Sequence, residues 1–594
     1  MCGCAREMMD MGGNKKAEDH PVADAACSVR RRNRMGRVGV VLIVCLFTMP
    51  LMVLLFGRWP GALAVWQNAA QLTAMGGGLL NVSRQSAAGA DELFGSLLSP
   101  GFDRCACLSR YQSPHYYKRS PYAPSPHLLQ KLRDYEALHS RCGPGTPPYA
   151  KSVDHLRSGS SSSKEDKECN YLVWIPYNGL GNRMLSLIST FLYALLTDRV
   201  LLVHSTDDFT DLFCEPFPGV NATWVLPPEF PVADISRLGV RSNQSYGNLL
   251  AGKKIDNDPT KATAQSVPPY VYLHLAHDLR RSDRLFYCND DQLVLAKVNW
   301  LLLQSDYYFV PALYDMAEFE GELRRLFPAK ESVSHLLGRY LLHPSNFVWG
   351  MITGYQVPLG ENASFGNQNL ARYYHTYMAQ AEERIGVQIR IFSWASIPVD
   401  DMYNQIMACS RQEHILPEVV NGDAAASASS HGGSKSKAIL IASLQADYYD
   451  RIKSTYYEHA AKGGGMVGVF QPSHEEQQIM GQRSHNQKAL AEIFLLSFSN
   501  VLLTTGISTF GYMSSSLAGL RPTMLMIPKD GKVPEPPCVR AVSMEPCFHM
   551  TPDVECQGKA VNKEELSHHV KKCEDVGKGI KRNKDDAHLE GVLY

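Results

Sequence analysis

Residues 171–205 constrain the fold more strongly than any other stretch of this chain. "YLVWIP" (171–176) and "VLLVHS" (200–205) are short apolar runs typical of buried strands, and "MLSLISTFLYALLTDR" (184–199) between them has helical periodicity. The apolar residues of this helix fall on one face: Leu185, Ile188, Leu192 and Leu195. A strand, a helix and a strand joined by short connections form a βαβ unit. The sequence therefore predicts an α/β fold, with a parallel sheet and helices on its faces.

The same alternation returns in the second half of the chain. Strands are predicted in "RIGVQIRIFS" (384–393) and over 438–444, 466–471 and 500–506, and helices over 402–420, 486–499 and 508–520. The chain thus has two βαβ-rich, Rossmann-like halves that join around residues 345–385. Ligands of such folds bind beyond the carboxyl ends of the strands, in a cleft between the halves.

An uncharged apolar run of 20 residues, 38–57, precedes both halves. Its length suits one crossing of a bilayer of about 30 Å. Arginines cluster just before it, which predicts a cytoplasmic tail (1–37), an uncleaved transmembrane signal-anchor and a lumenal remainder. A cleaved signal peptide is the alternative, but the run is long for one and begins far from the N-terminus.

The remaining boundaries follow from composition and motif order. Gly, Pro and Ser clusters predict a lumenal stem at 58–168, followed by an N-terminal Rossmann-like domain at 169–380 and a C-terminal one at 381–560, with a polar tail at 561–594. Eleven of the fifteen cysteines follow the anchor, where disulfides persist. Glycosylation sequons occur at Asn81, Asn221, Asn243 and Asn362. Acidic and basic residues balance at 59 each, which argues against general nucleic-acid binding.

Arg390 is the first candidate site residue, because it lies at the carboxyl end of a predicted strand. A guanidinium there suits a phosphate group, which it can grip with two parallel hydrogen bonds. A surface salt bridge to a helix carboxylate is the alternative.

"TTGISTFGY" (504–512) is the second phosphate candidate. A strand end, a glycine turn and then Ser508 and Thr509 at a helix start bring backbone N–H groups, hydroxyls and the positive helix end together. Ordinary N-capping of the helix explains the same residues. Together with Arg390, this segment predicts a diphosphate cradle and hence a nucleotide or nucleotide-sugar donor.

Three further motifs contain polar residues in loops. "NGLGNR" (178–183) lacks the glycine fingerprint of dinucleotide sites and the P-loop lysine. Its glycines allow either a close approach of the backbone to a substrate or a tight turn. "QPSHEE" (471–476) follows a strand end and offers His474, Glu475 and Glu476 for donor binding or acid–base work, or for helix capping. "DND" (256–258) resembles a metal-binding aspartate pair but lies in a polar loop, and we expect it to be solvated.

A longer ordered set of motifs carries a family resemblance. It comprises "YNGLGNRMLSLISTFLYALLTDRVLLV", "CEPFP", "YLHLAHD", "HLLGRYLLHPSNFVWG", "ERIGVQIRIF", "GVFQPSHEE", "KALAEIFLLSFSNVLLTT", "STFGY" and "AVSMEPCFH". From about Tyr171 to Cys556 the chain resembles the plant cell-wall fucosyltransferases, the xyloglucan α-1,2-fucosyltransferase family. One departure is Gly506–Ile507, where the family usually has serine or alanine followed by tryptophan.

The resemblance implies a GT-B-like fold and fucosyl transfer from GDP-fucose, with inversion and without a metal or other cofactor. The acceptor would be a galactose-type hydroxyl of a wall polysaccharide or proteoglycan, and the enzyme a single-pass type II protein of the Golgi membrane. Arg390 would stabilise the leaving group, and no catalytic base is named. The donor-side residues would be Gln388, Arg390, His474, Glu475, Ser508, Thr509, Phe510 and Gly511, and those of the acceptor-side loop Gly179, Gly181, Asn182 and Arg183.

The partners expected are GDP-fucose, a glycan acceptor and the membrane, with a homodimer as the candidate assembly and no nucleic acid. Two alternatives stay open at this stage. An enzyme with the same donor but another acceptor, such as a protein hydroxyl, would share these motifs. A catalytically weak Golgi paralogue that acts as a partner in a glycosyltransferase complex is favoured slightly by Gly506–Ile507, whereas the intact remaining motifs favour an enzyme.

Overall fold

The computed structural model describes residues 93–159, 168–205, 209–219, 223–263, 266–353, 381–420, 436–462, 464–479, 481–550, 555–556, 559–560 and 570–582. They belong to one compact unit that begins at Asp91. The predicted tail, the predicted anchor and the sequons at Asn81, Asn221 and Asn362 lie outside these residues, whereas Asn243 is described and exposed. No helix in the described part is both long and apolar enough to cross a membrane.

The first sheet has four strands, all parallel, in the order β2-β1-β4-β3. Its strands are β1 (Asn170–Ile175), β2 (Arg199–Val203), β3 (Tyr270–His274) and β4 (Trp300–Gln304). Every residue of β2 and β4 is buried, as expected of parallel strands that are covered on both faces. The predicted βαβ unit is confirmed, because β1 and β2 pair in parallel and a helix connects them.

The second sheet has six strands in the order β10-β9-β8-β5-β6-β7. Its strands are β5 (Glu383–Ile389), β6 (Lys437–Ser443), β7 (Val467–Phe470), β8 (Val501–Thr505), β9 (Thr523–Leu525) and β10 (Cys538–Arg540). Only β10 runs antiparallel to its neighbour within this sheet. Each of the four strands predicted in the second half is therefore present, at bounds close to the predicted ones.

Helices surround both sheets. Before β5 the helices are α1 (Leu108–Gln112), α2 (Pro126–Cys142), α3 (Pro147–Ser158), α4 (Leu180–Leu196), α5 (Phe209–Leu212), α6 (Tyr246–Ala251), α7 (Asn289–Leu295), α8 (Val310–Leu313), α9 (Ala317–Leu326), α10 (Val333–Leu341) and α11 (Asn346–Thr353). After β5 they are α12 (Val399–Glu413), α13 (Asp447–Glu458), α14 (Arg483–Ser497) and α15 (Thr509–Ala518). The predicted apolar face of α4 is fully buried, since Leu185, Ile188, Leu192 and Leu195 all belong to the core.

The stem assignment of 58–168 needs correction over residues 93–159, which are folded. Helix α2 begins at an N-cap, Ser125, whose side chain accepts from the Leu128 backbone N–H. Leu128, Leu132 and Tyr135 are spaced as one helical face and are buried in the main core. A disulfide then joins Cys142 at the end of α2 to residue 169. Several of the Pro and Ser residues of this region lie within the helices themselves, as Pro126 and Ser152 do.

The polar-tail assignment of 561–594 needs the same correction over residues 570–582. These form a hairpin of β13 (Val570–Lys572) and β14 (Ile580–Arg582), whereas β11 (Glu555–Cys556) and β12 (Lys559–Ala560) pair just before it. A disulfide links Cys573 to Cys547, and the buried guanidinium of Arg582 lies 3.3 Å from the ring centroid of Tyr314. Covalent and cation–π contacts therefore hold a polar sequence against the folded unit.

Disulfides also tie distant parts of the chain together. In the described part they pair Cys107 with Cys214, Cys142 with Cys169, Cys288 with Cys556, Cys409 with Cys538 and Cys547 with Cys573. The core is likewise continuous between the sheets, because one hydrophobic cluster includes residues of α4, α10, α14 and α15. The two sheets are thus held in a fixed relation around the space between them.

Candidate active site

The two central strands of the second sheet, β5 and β8, locate the candidate site. From β5 the chain continues to β6 and β7 on one side and then returns to β8 on the other. Ligands of open parallel sheets bind at the carboxyl ends of the strands where the strand order reverses in this way. Arg390 follows β5 directly, and its backbone N–H donates to Oγ1 of Thr505, the last residue of β8, over 2.9 Å.

The guanidinium of Arg390 points into this crevice with a neutral partner. Its Nη2 donates to Oε1 of Gln478 over 2.7 Å, and its Cζ lies 5.8 Å from the ring centroid of Phe392. Among the described residues, no carboxylate lies within 4.0 Å of it, so the salt-bridge alternative is not seen. Partial burial lowers the pKa of Arg390 from its ordinary value. The site thus has a partly desolvated cation that has no anionic partner in the described part.

The second phosphate candidate is the start of α15, beside Arg390. Ser508 is the N-cap residue and is buried, but its side chain makes no capping hydrogen bond. The capping alternative therefore does not account for this hydroxyl. The first N–H groups of a helix and the positive end of its dipole favour a bound anion. Helix α15 is ten residues long, and its start and Arg390 line the same cleft.

The loop "NGLGNR" reaches the same place from the first sheet. Asn182 accepts at Oδ1 from Oγ1 of Thr509 over 3.0 Å, so residues 327 positions apart in the chain meet here. Gly181 packs so closely on α15 that a Cβ would lie 2.6 Å from Oγ1 of Thr509. Positive φ in this loop falls on Asn178 (66°), whereas Gly179 has an ordinary φ of −66°. Gly181 is therefore required for close approach and not for a turn.

These segments enclose a cleft of about 320 Å³, a size typical of small-molecule sites. The residues predicted from the sequence that line it are Gly179, Gly181, Asn182, Gln388, Arg390, Glu475, Ser508, Thr509 and Phe510. Three others do not line it. Arg183 is buried and donates through Nε to the Asn178 carbonyl, His474 is exposed, and Gly511 packs where a Cβ would lie 2.8 Å from the Cβ of Thr504.

One face of α14 forms a further wall of the cleft, which the sequence analysis missed. His485 is buried, and its Nδ1 has no hydrogen-bond partner among the described residues. Lys488 forms an ion pair with Glu475, and this hydrogen bond lowers the pKa of that carboxyl. Glu492 accepts from Oγ of Ser473 over 2.6 Å, and burial raises its pKa to about 8. These residues share one helical face, but they could have been chosen from the sequence only by knowing which face the cleft meets.

The Gly506–Ile507 pair, the departure from the family pattern, lies at the cleft itself. Ile507 lines it and has a φ of 65°, which is a strained conformation for a β-branched residue. Its backbone N–H donates over 2.7 Å to Oδ2 of Asp575, which also accepts from the Tyr512 hydroxyl over 2.5 Å. The hairpin predicted as a polar tail therefore supports the strained turn that precedes α15.

A second polar cluster lies at the carboxyl edge of the first sheet, beside a cavity of about 410 Å³. Asp306, just after β4, is buried and accepts from Nδ2 of Asn178 over 2.7 Å. Its Oδ2 also lies 2.6 Å from Nδ1 of His277, which follows β3 closely. Tyr177 and Asp278 are among the residues that line the cavity. This cluster could have been predicted from the sequence. In "YLHLAHD" and "LLLQSD" polar residues follow an apolar, strand-like run, which is the pattern that identified Arg390 as a candidate.

Two groups of side chains in the described part contain potential metal ligands. Asp256 and Asp258 lie in an exposed turn, where Lys261 Nζ is 3.6 Å from the first carboxylate and 3.2 Å from the second. Among the described residues, the cluster of three potential ligands is Cys547, Cys573 and Asp575, whose two sulfurs are joined in a disulfide. Thiolates are the form that binds metals, so this cluster does not fit one as it stands.

Two α/β sheets, one wholly parallel and one parallel except for β10, face one cleft, and an arginine and a helix start lie at a strand-order reversal beside it. This arrangement is typical of transferases that use a diphosphate-linked donor. The comparisons with known proteins narrow this class. The family model described as "Xyloglucan fucosyltransferase" matches residues 69–557. The chain belongs to this family.

Relatives and a solved structure agree with that assignment. The chain is 46% identical over 493 residues to a galactoside 2-alpha-L-fucosyltransferase of Pisum sativum, covering 83% of this chain and 82% of the relative. It is 45% identical over 494 residues to the Arabidopsis thaliana protein of the same name, covering 83% of each. A structure of an Arabidopsis thaliana FUT1 variant in complex with GDP is similar with a TM-score of 0.72 and 44% identity, covering 83% of this chain and all of that one. The chain is therefore a fucosyltransferase with a GT-B-like fold.

Proposed function

We propose that this fucosyltransferase transfers L-fucose from GDP-fucose to a galactose-type hydroxyl of a cell-wall polysaccharide or proteoglycan. The observation that carries the donor assignment is the juxtaposition of Arg390 with the start of α15 at the strand-order reversal. Both groups bind phosphate oxygens, one through a planar fork of donors and the other through backbone N–H groups and the helix dipole. The similar FUT1 structure holds GDP, which agrees with this donor class.

The proposed chemistry is a single displacement that inverts the sugar carbon. Negative charge develops on the diphosphate as its bond to fucose breaks, and a fixed cation counts for more there than in the ground state. Arg390 is partly buried and already oriented by Gln478, so little reorganisation accompanies the reaction. The start of α15 supplies the second stabilising group, and we propose that no metal takes part.

The acceptor is proposed to lie at the carboxyl edge of the first sheet. The cavity there opens beside the loop that carries Gly179 and Asn182 and is lined by Tyr177, His204 and Arg241, among others. An aromatic face together with hydrogen-bonding groups suits the apolar faces and hydroxyls of a pyranose.

The cellular setting is proposed from the sequence pattern. The arginines before the apolar run 38–57 favour a single-pass type II protein with residues 1–37 in the cytosol and the catalytic part in the Golgi lumen. Protease treatment of intact microsomes should leave the C-terminal part protected and its sequons glycosylated. Digestion of that part without detergent would refute this topology.

The experiment that tests the function uses the purified lumenal part with GDP-fucose and a panel of wall polysaccharides and galactosides. Transfer of fucose to one acceptor, with release of GDP, is the expected result. The second candidate, a catalytically weak partner within a glycosyltransferase complex, is favoured by the strained Ile507 at the cleft. Failure to bind or hydrolyse GDP-fucose, in a preparation that is folded, would support that candidate and overturn the enzymatic proposal.

A further inference from the structure

Two histidines, the last residue of β3 and one three residues later, each pair with an aspartate, and the two pairs differ in whether both imidazole nitrogens have partners. His274 is buried, with Nδ1 2.8 Å from the Tyr272 hydroxyl and Nε2 2.7 Å from Oδ1 of Asp278. His277 is 52% exposed, and its Nδ1 lies 2.6 Å from Oδ2 of Asp306. No described residue makes a hydrogen bond to its Nε2. Both ring nitrogens of His274 are therefore occupied, whereas His277 has one nitrogen available to a substrate.

The environment of His277 fixes both the tautomer and the orientation of the ring. Asp306 is 4% exposed, and its Oδ1 accepts from the His277 backbone N–H over 3.0 Å. Its Oδ2 accepts from Nδ2 of Asn178 and faces the imidazole Nδ1. A carboxylate only accepts hydrogen bonds, so Nδ1 carries the proton and Nε2 is the basic nitrogen. The Tyr177 ring stacks on the imidazole with 6.0 Å between centroids and 15° between planes.

A single side chain connects this pair to the donor side of the cleft. Asn182 donates through Nδ2 to the Asp306 carbonyl over 3.0 Å and accepts at Oδ1 from Thr509 over the same distance. Thr509 is the first residue of α15, where the diphosphate is proposed to bind. The available imidazole nitrogen therefore belongs to the acceptor side and lies one asparagine away from the donor helix.

We infer that Nε2 of His277 is the general base that deprotonates the acceptor hydroxyl, with Asp306 as the residue that positions it; this inference rests on the proposed function. The acceptor oxygen forms a bond to the anomeric carbon of fucose as its proton passes to Nε2. The bond between that carbon and the phosphate oxygen breaks, and the electron pair leaves with GDP. Asp306 stabilises the imidazolium that results, and the proton is released to solvent after the products dissociate.

The pH dependence of the reaction should report this group. Charged and titratable neighbours face His277 from three directions: Asp306 after β4, Asp278 on its own loop, and the Tyr177 phenol from the loop after β1. His274 contacts Asp278 through its Nε2. His549 faces Asp306 from the C-terminal side. General-base catalysis uses the neutral imidazole, so this role predicts that kcat rises with pH.

The test compares wild type with His277→Ala in steady-state fucosyl transfer. A general base contributes about 10²–10⁴-fold, so kcat should fall by that factor. The KM for GDP-fucose and the affinity for GDP should change less than about threefold, because the residues proposed to bind the diphosphate are unchanged. The rise of kcat with pH should disappear, and added imidazole should restore part of the lost rate. Asp306→Asn should lower kcat as well, because His277 is then no longer held in position. A thermal melt of this variant shows whether the loss comes from misfolding instead.

A matched control is His127→Ala. His127 lies on α2 and is also partly exposed, with its Nε2 2.8 Å from Oε1 of Glu322. This variant should leave kcat and the pH profile unchanged. The inference is overturned if His277→Ala keeps the wild-type kcat and pH profile, or if it loses GDP affinity in proportion to kcat. Wild type that binds no GDP-fucose and transfers no fucose would instead be a failure of the proposed function.

Discussion

Replacing Arg390 with lysine separates charge from geometry at the candidate donor site. Arginine has five N–H donors in a planar fork, and the structure commits one of them to Oε1 of Gln478 over 2.7 Å. A lysine ammonium has three donors on a flexible stem, so it cannot hold Gln478 and also span two phosphate oxygens in one plane. We therefore expect Arg390→Lys to lose at least one charge-assisted hydrogen bond to the diphosphate, although the formal charge is kept.

The expected magnitude follows from that count. One charge-assisted hydrogen bond is worth about 1.5–3 kcal/mol. At about 1.4 kcal/mol per factor of ten, kcat should fall roughly 10- to 200-fold. The loss should be larger in kcat than in GDP affinity, because charge on the diphosphate grows as the bond to fucose breaks. The side chain lines the cleft after the end of β5, so the thermal midpoint should stay close to that of wild type.

The assay is steady-state transfer from GDP-fucose, with GDP binding measured by calorimetry on the same preparations. Arg384→Lys is the matched control, because Arg384 lies near the opposite end of the same strand and donates to the Tyr116 carbonyl over 3.3 Å. It should change stability at most, and not kcat. Full activity of Arg390→Lys together with misfolding of Arg390→Ala would show a structural residue, and the donor assignment would then rest on the start of α15 alone.

Three further outcomes are expected. Gly181→Ala should abolish most activity and destabilise the fold by about 1–3 kcal/mol, because the new Cβ has no room against α15. The control Gly321→Ala lies in open space on α9, so urea unfolding should show no change or a gain in stability of about 0.5–1 kcal/mol. Burial raises the pKa of Glu492 from 4.5 to about 8, so the folded state holds a proton that the unfolded state releases, and stability should fall as pH rises through this range. Glu492→Gln should flatten that slope in thermal melts and gain at most about 3 kcal/mol at pH 7, while an unchanged slope would contradict the burial argument. Activity should survive EDTA, and abolition with rescue by manganese would instead identify Asp256 and Asp258 as candidate ligands.

Local patterns in the sequence were sufficient to predict most elements of the fold. Apolar periodicity is a property of neighbouring residues, so β1, α4 and β2 could be predicted from residues 171–205 without any long-range contact. The carboxyl ends of parallel strands share one edge, which is why Arg390 and Ser508 could be placed near each other from the sequence. Composition misled where polar sequence is folded, as in residues 93–159 and 570–582, because long-range packing and disulfides hold these segments.

The sequence by itself determined the two α/β halves, the family and the strand ends of the second half that line the candidate cleft. Only the tertiary structure decided which loops meet: Asn182 with Thr509, Ile507 with Asp575, and His277 with Asp306. The physical reason is that these contacts depend on strand order and on how the sheets pack, and neither is encoded in the residues next to each loop. A histidine becomes a candidate base when a carboxylate from the loop after another strand holds one nitrogen and leaves the other exposed. That condition separates His277 from His274, three residues earlier in the same motif.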